Sequence, residues 1–245
     1  METQKTDYNY KNIIQLEGTA DLTRKFMANV FMWMFVALGI SAGFAYYFAH
    51  DQSLTQLLFN PETGYTFFGK VVAFSPFAFI LIMGLGMNKI PYPILLLLFF
   101  AFSAIMGISL SSIFLAYSAS LISTIFLVTS LVFGVMAIAG YTTNQDLTKF
   151  GSIMIMGLFG IVIATLVNMF ILHSAQMDYI ISYIGVAVFV GLTAYDVQKL
   201  KRIGEGIELG TASAGKMAIM GALTLYLDFI NLFLMLLRVF GGRRR

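Results

Sequence analysis

The feature that most constrains this chain is a long stretch without charge. From Ile90 to Gln145 no aspartate, glutamate, lysine or arginine occurs. A hydrocarbon layer about 30 Å thick is crossed by roughly 20 helical residues, so the stretch is too long for one span and suits two. The whole chain agrees, with 59% hydrophobic and 11% charged residues, against about 25% charged in soluble domains. The sequence therefore predicts an integral membrane protein.

Charged and polar residues divide the rest of the chain into further apolar spans. The sequence predicts an all-α polytopic bundle in which the last helix is central. The seven predicted helices are Phe26–Ala49, Val71 to about Met87, about Ile94 to Tyr117, Leu121–Gly140, Gly151–Leu172, Tyr179–Leu200 and Met217–Leu237. Residues 1–25 form a predicted cytoplasmic tail, 26–238 the membrane domain and 239–245 a basic tail. No removable signal peptide is expected, because the first 25 residues are polar and of mixed charge.

The basic residues predict the orientation. Seven spans place ten of them on the N-terminal side (Lys5, Lys11, Arg24, Lys25, Lys89, Lys149, Lys199, Lys201, Arg202, Lys216) and five on the other (Lys70, Arg238, Arg243, Arg244, Arg245). The positive-inside rule then favours a cytoplasmic N-terminus. The three terminal arginines count against this orientation. Six spans followed by a re-entrant last helix would instead bring both ends inside.

Two aspartates interrupt the last two spans. Asp228 lies near the middle of the seventh span, where an aspartate costs about 2.5 to 3.5 kcal/mol on insertion scales, so it should face the bundle interior, be protonated or have a partner. Asp196 ends the sixth apolar run, one turn before Lys199. With the predicted helix ends, the two carboxyl groups miss each other by about two turns unless one helix is longer or shifted.

If the carboxyl groups meet, we expect them to share one proton, because two carboxylates in a low dielectric cannot both ionise cheaply. Loss of that proton would create repulsion and a site for a hard cation. Asn231, one turn from Asp228, offers an amide oxygen, and Tyr195 and Tyr226 offer hydroxyl donors. The alternative is that Asp228 is only a hydrogen-bonding anchor between helices and that Asp196 is a surface residue paired with Lys199.

Other polar residues carry weaker expectations. Asn168 is expected to act in helix packing, and His50 and His173 at the membrane interface. Two histidines without nearby carboxylates predict no histidine metal site, and the chain has no cysteine, which excludes disulfides and thiolate sites. No cofactor and no nucleic-acid partner is expected, whereas membrane lipid and protons are.

The last two helices resemble a known family. The segments LTAYDVQKLK (Leu192 to Lys201) and LYLDFINLFLMLLRVFGG (Leu225 to Gly242) are similar to those of the Bax inhibitor family, also called the transmembrane Bax inhibitor motif family. The seven-span layout extends the resemblance over nearly the whole chain. It implies that the matching aspartates, Asp196 and Asp228, form a pH-sensitive pair that closes a central pore, and that the activity is a calcium leak.

One departure concerns the second helix. Bacterial relatives carry an arginine at its end that pairs with the aspartates, whereas here the only base is Lys89. A lysine can supply a point charge but not a bidentate guanidinium contact. The resemblance therefore implies a supporting role for Lys89 and a weaker or differently set pair.

Two other functions stay open. An intramembrane aspartyl protease also uses two aspartates, the first in a Tyr-Asp pair. In that family the second aspartate lies in a Gly-x-Gly-Asp motif, where this chain has Leu225, Tyr226, Leu227 and Asp228. Those proteases also need a proline in a later helix, and this chain has no proline after Pro93. The second alternative is a regulatory partner of a membrane protease, or a stress or cell-death suppressor, without transport of its own.

Overall fold

The structure, a computed structural model, describes residues 2–60, 62, 64–207 and 210–241, with side chains from residue 20 onward. Its helices are α1 (Glu2–His50), α2 (Gln52–Leu58), α3 (Phe67–Gly86), α4 (Tyr92–Leu110), α5 (Ile113–Ala116), α6 (Ala119–Thr142), α7 (Thr148–Val167), α8 (Ala175–Glu205) and α9 (Ala212–Phe240). A π-helical turn, Asn168–Leu172, extends α7, and a short antiparallel hairpin joins β1 (Phe59–Asn60) to β2 (Gly64–Tyr65).

The predicted all-α membrane bundle is confirmed. Seven helical segments of the described chain are long and apolar enough to span a membrane. The last of them, α9, is one continuous helix of 29 residues, which is the length of a full span rather than of a re-entrant turn. The orientation of the N-terminus and the division into tails and domain stay predictions. Residues 242–245, which hold the three terminal arginines, lie outside the described residues.

Side-chain caps and prolines set most of the helix starts. The hydroxyls of Ser118, Ser174 and Thr211 accept hydrogen bonds from backbone N–H groups in the first turns of α6, α8 and α9, respectively. Pro91 precedes α4, and Pro93 lies in its first turn, where the missing N–H costs nothing. Since the predicted bounds rested on apolar runs alone, they miss these capped turns by two to five residues at the starts of α6, α8 and α9.

The last helix is the centre of the bundle. α9 packs against α1, α4, α6 and α8. Its fully buried side chains include Ile219, Leu225, Tyr226 and Leu232. Helices α3 and α7 lie at the periphery, where phenylalanine, leucine and isoleucine side chains face outward as they would toward lipid.

Candidate functional site

The site is built on the antiparallel pair α8 and α9. Their register is fixed by contacts at three levels, where residue numbers add up to nearly the same value: Gly185 with Met235, Asp196 with Asp228, and Leu200 with Gly221. Helix α8 continues to Glu205 and α9 begins at Ala212, whereas the sequence predicted an end at Leu200 and a start at Met217. The longer helices remove the predicted gap of two turns, so the aspartates meet.

The carboxyl groups of Asp196 and Asp228 are both buried, with 9% and 5% of each residue exposed. They lie close enough for a hydrogen bond between them. Among the described residues, no N–H or O–H donor reaches Oδ2 of Asp228. Because two carboxylates are both acceptors, a bond between them needs a proton on one of the two. The geometry is therefore one that a single shared proton would satisfy.

One positive charge lies near this pair. Lys199, one turn after Asp196 on α8, interacts electrostatically with the Asp196 carboxylate. Its ammonium group lies 6.0 Å from the centroid of the Tyr195 ring, and its side chain is exposed. Asp196 itself is buried, so it is not the surface residue that the alternative interpretation described.

Two predicted supporting residues lie beside the pair but bond elsewhere. The Asn231 amide donates to the carbonyl of Leu227 on its own helix at 2.8 Å. The ring of Tyr195 packs on Gly151 of α7, where a Cβ atom would lie 2.2 Å from the ring. Neither side chain donates to a carboxyl group among the described contacts, so their supporting roles are not visible in this conformation.

The structure places Lys89 away from the pair. Lys89 is exposed in the turn after α3. The carbonyl of Met87, in the same turn, accepts from the Lys216 ammonium at 3.2 Å, and Lys216 precedes Asp228 by twelve residues of α9. That separation is about 18 Å along the helix axis. In this conformation the turn that holds Lys89 lies near the start of α9, and the supporting role of Lys89 stays a prediction.

Comparisons with known proteins place the chain in a family. The family model described as inhibitor of apoptosis-promoting Bax1 matches residues 23–245. The inner membrane protein YbhL of Escherichia coli K12 is 47% identical over 220 residues, which cover 89% of this chain and 92% of that protein. An uncharacterized protein of Borreliella burgdorferi is 42% identical over 91% of this chain and 94% of its own length. An uncharacterized membrane protein of Streptococcus pyogenes serotype M6 is 35% identical over 89% and 92%.

The chain belongs to the Bax inhibitor-1 family. The resemblance read from its last two helices is thus confirmed, and the protein is a multi-pass membrane protein. Family membership does not by itself assign roles to Asp196 and Asp228.

In this member of the Bax inhibitor-1 family, the buried Tyr226 hydroxyl forms a second polar contact between helices of the core, next to the aspartate pair. The Tyr226 hydroxyl lies 2.7 Å from Oγ of Ser41 on α1, and Ser41 donates its only proton to the Ser103 carbonyl on α4 at 2.7 Å. Tyr226 must therefore donate to Ser41 and is not free to donate to an aspartate. Sequence reasoning missed Ser41 and Ser103, because serines in apolar helices usually bond their own backbone.

The polar residues at the other end of α8 lie far from the pair. Asn168 is buried, and its amide holds the Ser174 backbone and the Asp178 carboxylate, as expected for a packing residue. Asn168 and Asp178 line an open cavity of about 420 Å³ together with His173 and Arg238. Arg238 follows Asp228 by ten residues, about 15 Å along α9, and the buried Leu232, Leu236 and Leu237 lie between. Buried apolar side chains of α9 therefore separate this cavity from the aspartates.

The donor set suits a transient cation better than a resident one. Among the described side chains no group of three or more histidine, cysteine, aspartate or glutamate residues could hold a metal ion. Calcium takes six to eight oxygen ligands, and two carboxyl groups supply at most four. A calcium ion at this pair would need carbonyl groups or water for the remaining positions.

Proposed function

We propose that this protein is a pH-sensitive calcium, or more generally cation, leak channel of a bacterial inner membrane, gated by Asp196 and Asp228. The observation that carries the proposal is the contact of two buried carboxyl groups in the middle of the bundle, one of which has an oxygen that no other described donor reaches. Ionisable groups at such a depth are usually functional. The name of the YbhL relative supports the location.

The proposed mechanism follows from one proton. While the carboxyl groups share it, the hydrogen bond between them joins α8 to α9 and the bundle stays closed. When the proton leaves, two negative charges face each other in a low dielectric, where their repulsion is far stronger than in water. Separation of α8 from α9 then relieves the repulsion, and a hydrated cation can neutralise both carboxylates. The same event thus opens the path and creates affinity for the ion.

Flux into proteoliposomes tests this proposal. Calcium uptake by wild type should change with pH, rising as the pair loses its shared proton. Asp196→Asn and Asp228→Asn should each give low flux that no longer depends on pH, because an amide donates permanently to the remaining carboxylate. Asp178→Asn is the matched control on the far end of α8, where the aspartate is exposed, and it should keep the wild-type profile.

The competing functions give different results in the same preparations. If neither substitution of the pair changes the flux or its pH dependence, the gating role of the pair is wrong. Cleavage of a transmembrane peptide that either substitution abolishes would identify a protease. Co-purification of a membrane protease, with no flux at any pH, would identify a regulatory partner.

A further inference from the structure

The connection between α6 and α7 is held by a buried glutamine of α8. The Gln198 side chain is 5% exposed. Its amide nitrogen donates to the Gln145 carbonyl at 2.7 Å, and its amide oxygen accepts from the Leu147 backbone N–H at 2.9 Å. Residues 143–147, which we call the α6–α7 loop, have no helical or strand structure. Since backbone polar groups need partners, Gln198 replaces the bonds that a helix or a strand would provide.

Two further side chains of the same helix face reach the ends of this loop. Lys201 donates to the Tyr141 carbonyl in the last turn of α6 at 2.9 Å. Arg202 donates to the Asp146 carboxylate at 2.8 Å and to the Thr148 hydroxyl at 3.2 Å. Gln198, Lys201 and Arg202 are spaced three and four residues apart, so they lie on one face of α8. The loop is therefore attached to α8 at several points.

The ion pair in this attachment is not itself a pH sensor near neutrality. Hydrogen bonds from the Thr148 hydroxyl and backbone N–H, and then from Arg202, lower the pKa of Asp146 from 3.8 to about 2. Asp146 thus stays ionised at any pH above about 4. A movement of the loop at higher pH would have to come from another group.

The segment of α8 that holds the loop also holds the aspartate. Three successive residues contact three different helices: Ala194 lies against Gly140 of α6, Tyr195 against Gly151 of α7, and Asp196 against Asp228 of α9. A Cβ atom on Gly140 would lie 2.1 Å from the Ala194 carbonyl oxygen, so α6 and α8 are in backbone contact at this level. Any displacement of α8 away from α9 must therefore displace α6, α7 or both.

We propose that Gln198 is a positioning residue that couples the Asp196 and Asp228 pair to the α6–α7 loop. The inference rests on the proposed function, because it takes loss of the shared proton as the event that moves α8. When α8 moves, the two hydrogen bonds of Gln198 carry the loop with it. When the loop is in place, the same bonds stabilise the closed position of α8 and hence the protonated pair.

The charged groups around Asp196 support the assignment of the proton to the pair. The Asp196 carboxyl group faces Asp228 of α9 and lies near Lys199 of its own helix, and α6 has no charged residue. The other described charges on the packed parts of α1, α7 and the α6–α7 loop are exposed: Asp21, Arg24, Lys25, Asp146 and Lys149.

The first test is the pH profile of calcium flux for Gln198→Leu, which keeps the size of the side chain but removes both hydrogen bonds. The closed state should lose stability, so that more protons are needed to hold it and the pH of half-maximal flux should fall by about 0.5 to 1 unit. Gln145→Leu is the matched control, because its side chain is exposed and its hydrogen bonds with the Gln198 amide and the Thr143 hydroxyl are made by backbone atoms. It should leave the profile unchanged, and an unchanged profile for Gln198→Leu would overturn the coupling.

The second test measures the loop directly. The chain has no cysteine, so spin labels on Asn144→Cys and Ser213→Cys, both exposed, report one distance between the α6–α7 loop and the start of α9. In an otherwise wild-type chain, electron–electron double resonance should show different distances at the two ends of the pH range. In the Asp196→Asn variant the distance between the two labels should keep its low-pH value at every pH. In the Gln198→Leu variant the distribution of that distance should be broader at every pH.

The two tests separate the inference from the function on which it rests. If the flux depends on pH but the distance between the labels does not, the coupling is wrong and the proposed channel stands. A loop distance that follows pH and depends on Asp196, with no flux, would overturn the channel and leave the coupling. If Gln198→Leu does not fold, the labelled chain and its Asp196→Asn variant still test the coupling. A distance between the labels that is the same at low and high pH in both proteins would contradict the inference.

Discussion

Helices α7 and α9 are both apolar spans, yet they occupy opposite places in the bundle. In the most apolar stretch of α9, 72% of the residues are buried, against 11% in α7, although α7 has the higher mean hydropathy. Lipid tails are as apolar as leucine, so a uniformly apolar helix gains little by leaving them. A helix that carries an aspartate, a tyrosine and an asparagine has groups that lipid cannot satisfy. The difference teaches that polarity, rather than hydrophobicity, selects the central helix.

The largest effect expected from this contrast concerns glycines. Gly140→Leu should lower the free energy of unfolding by at least about 2 kcal/mol, because the new side chain would enter the backbone contact between α6 and Ala194 of α8. A Cβ atom at Gly134 on the same helix or at Gly160 on α7 would meet no atom within 4 Å, so Gly134→Leu and Gly160→Leu should not lower it. Reversible unfolding in detergent, followed by circular dichroism, measures all three. Equal losses would show that the periphery is packed as tightly as the centre.

A smaller effect is expected for the hydroxyl of Tyr226. Tyr226→Phe leaves the buried Ser41 oxygen without its donor and should cost about 1 kcal/mol of unfolding free energy. Tyr183→Phe on α8 is the peripheral counterpart, since Tyr183 is 62% exposed, and should cost less than about 0.5 kcal/mol. The same unfolding assay applies, and a cost for Tyr183→Phe as large as that for Tyr226→Phe would break the comparison.

The smallest effect is expected at the exposed ion pair of Asp146 with Arg202. Because the pKa of Asp146 is lowered to about 2 in the folded protein, its contribution to stability is present above its ordinary value of 3.8 and is lost as pH falls toward 2. Asp146→Asn should therefore lower the unfolding midpoint by a small amount that is constant from pH 8 to about pH 5. A difference from wild type that changed within that range would assign a different titrating partner to the loop.

Parts of the site were predictable from the residues alone. Asp228 stood out because an aspartate near the middle of an apolar span has a large insertion cost, whatever its neighbours are. Asp196 did not, since its depth depends on where α8 ends, and the predicted helix stops at Leu200, five residues before α8 does. Lys89 was assigned to the pair from the family resemblance, and the structure puts its turn near Lys216 of α9. Gln198 gave no signal as a loop anchor, because nothing in the chain marks its partners fifty residues away.

The sequence by itself determined that the chain has seven apolar segments long enough to span a membrane and that the last two carry aspartates. These properties depend on local composition, since the cost of placing charge in hydrocarbon is counted residue by residue. Only the tertiary structure decided that the aspartates meet, that Tyr226 bonds Ser41, and that Gln198 holds the α6–α7 loop. Those contacts depend on the lengths and register of helices that are distant in the chain, and register is set by packing at positions such as Gly140 and Gly221, where two helices approach closely.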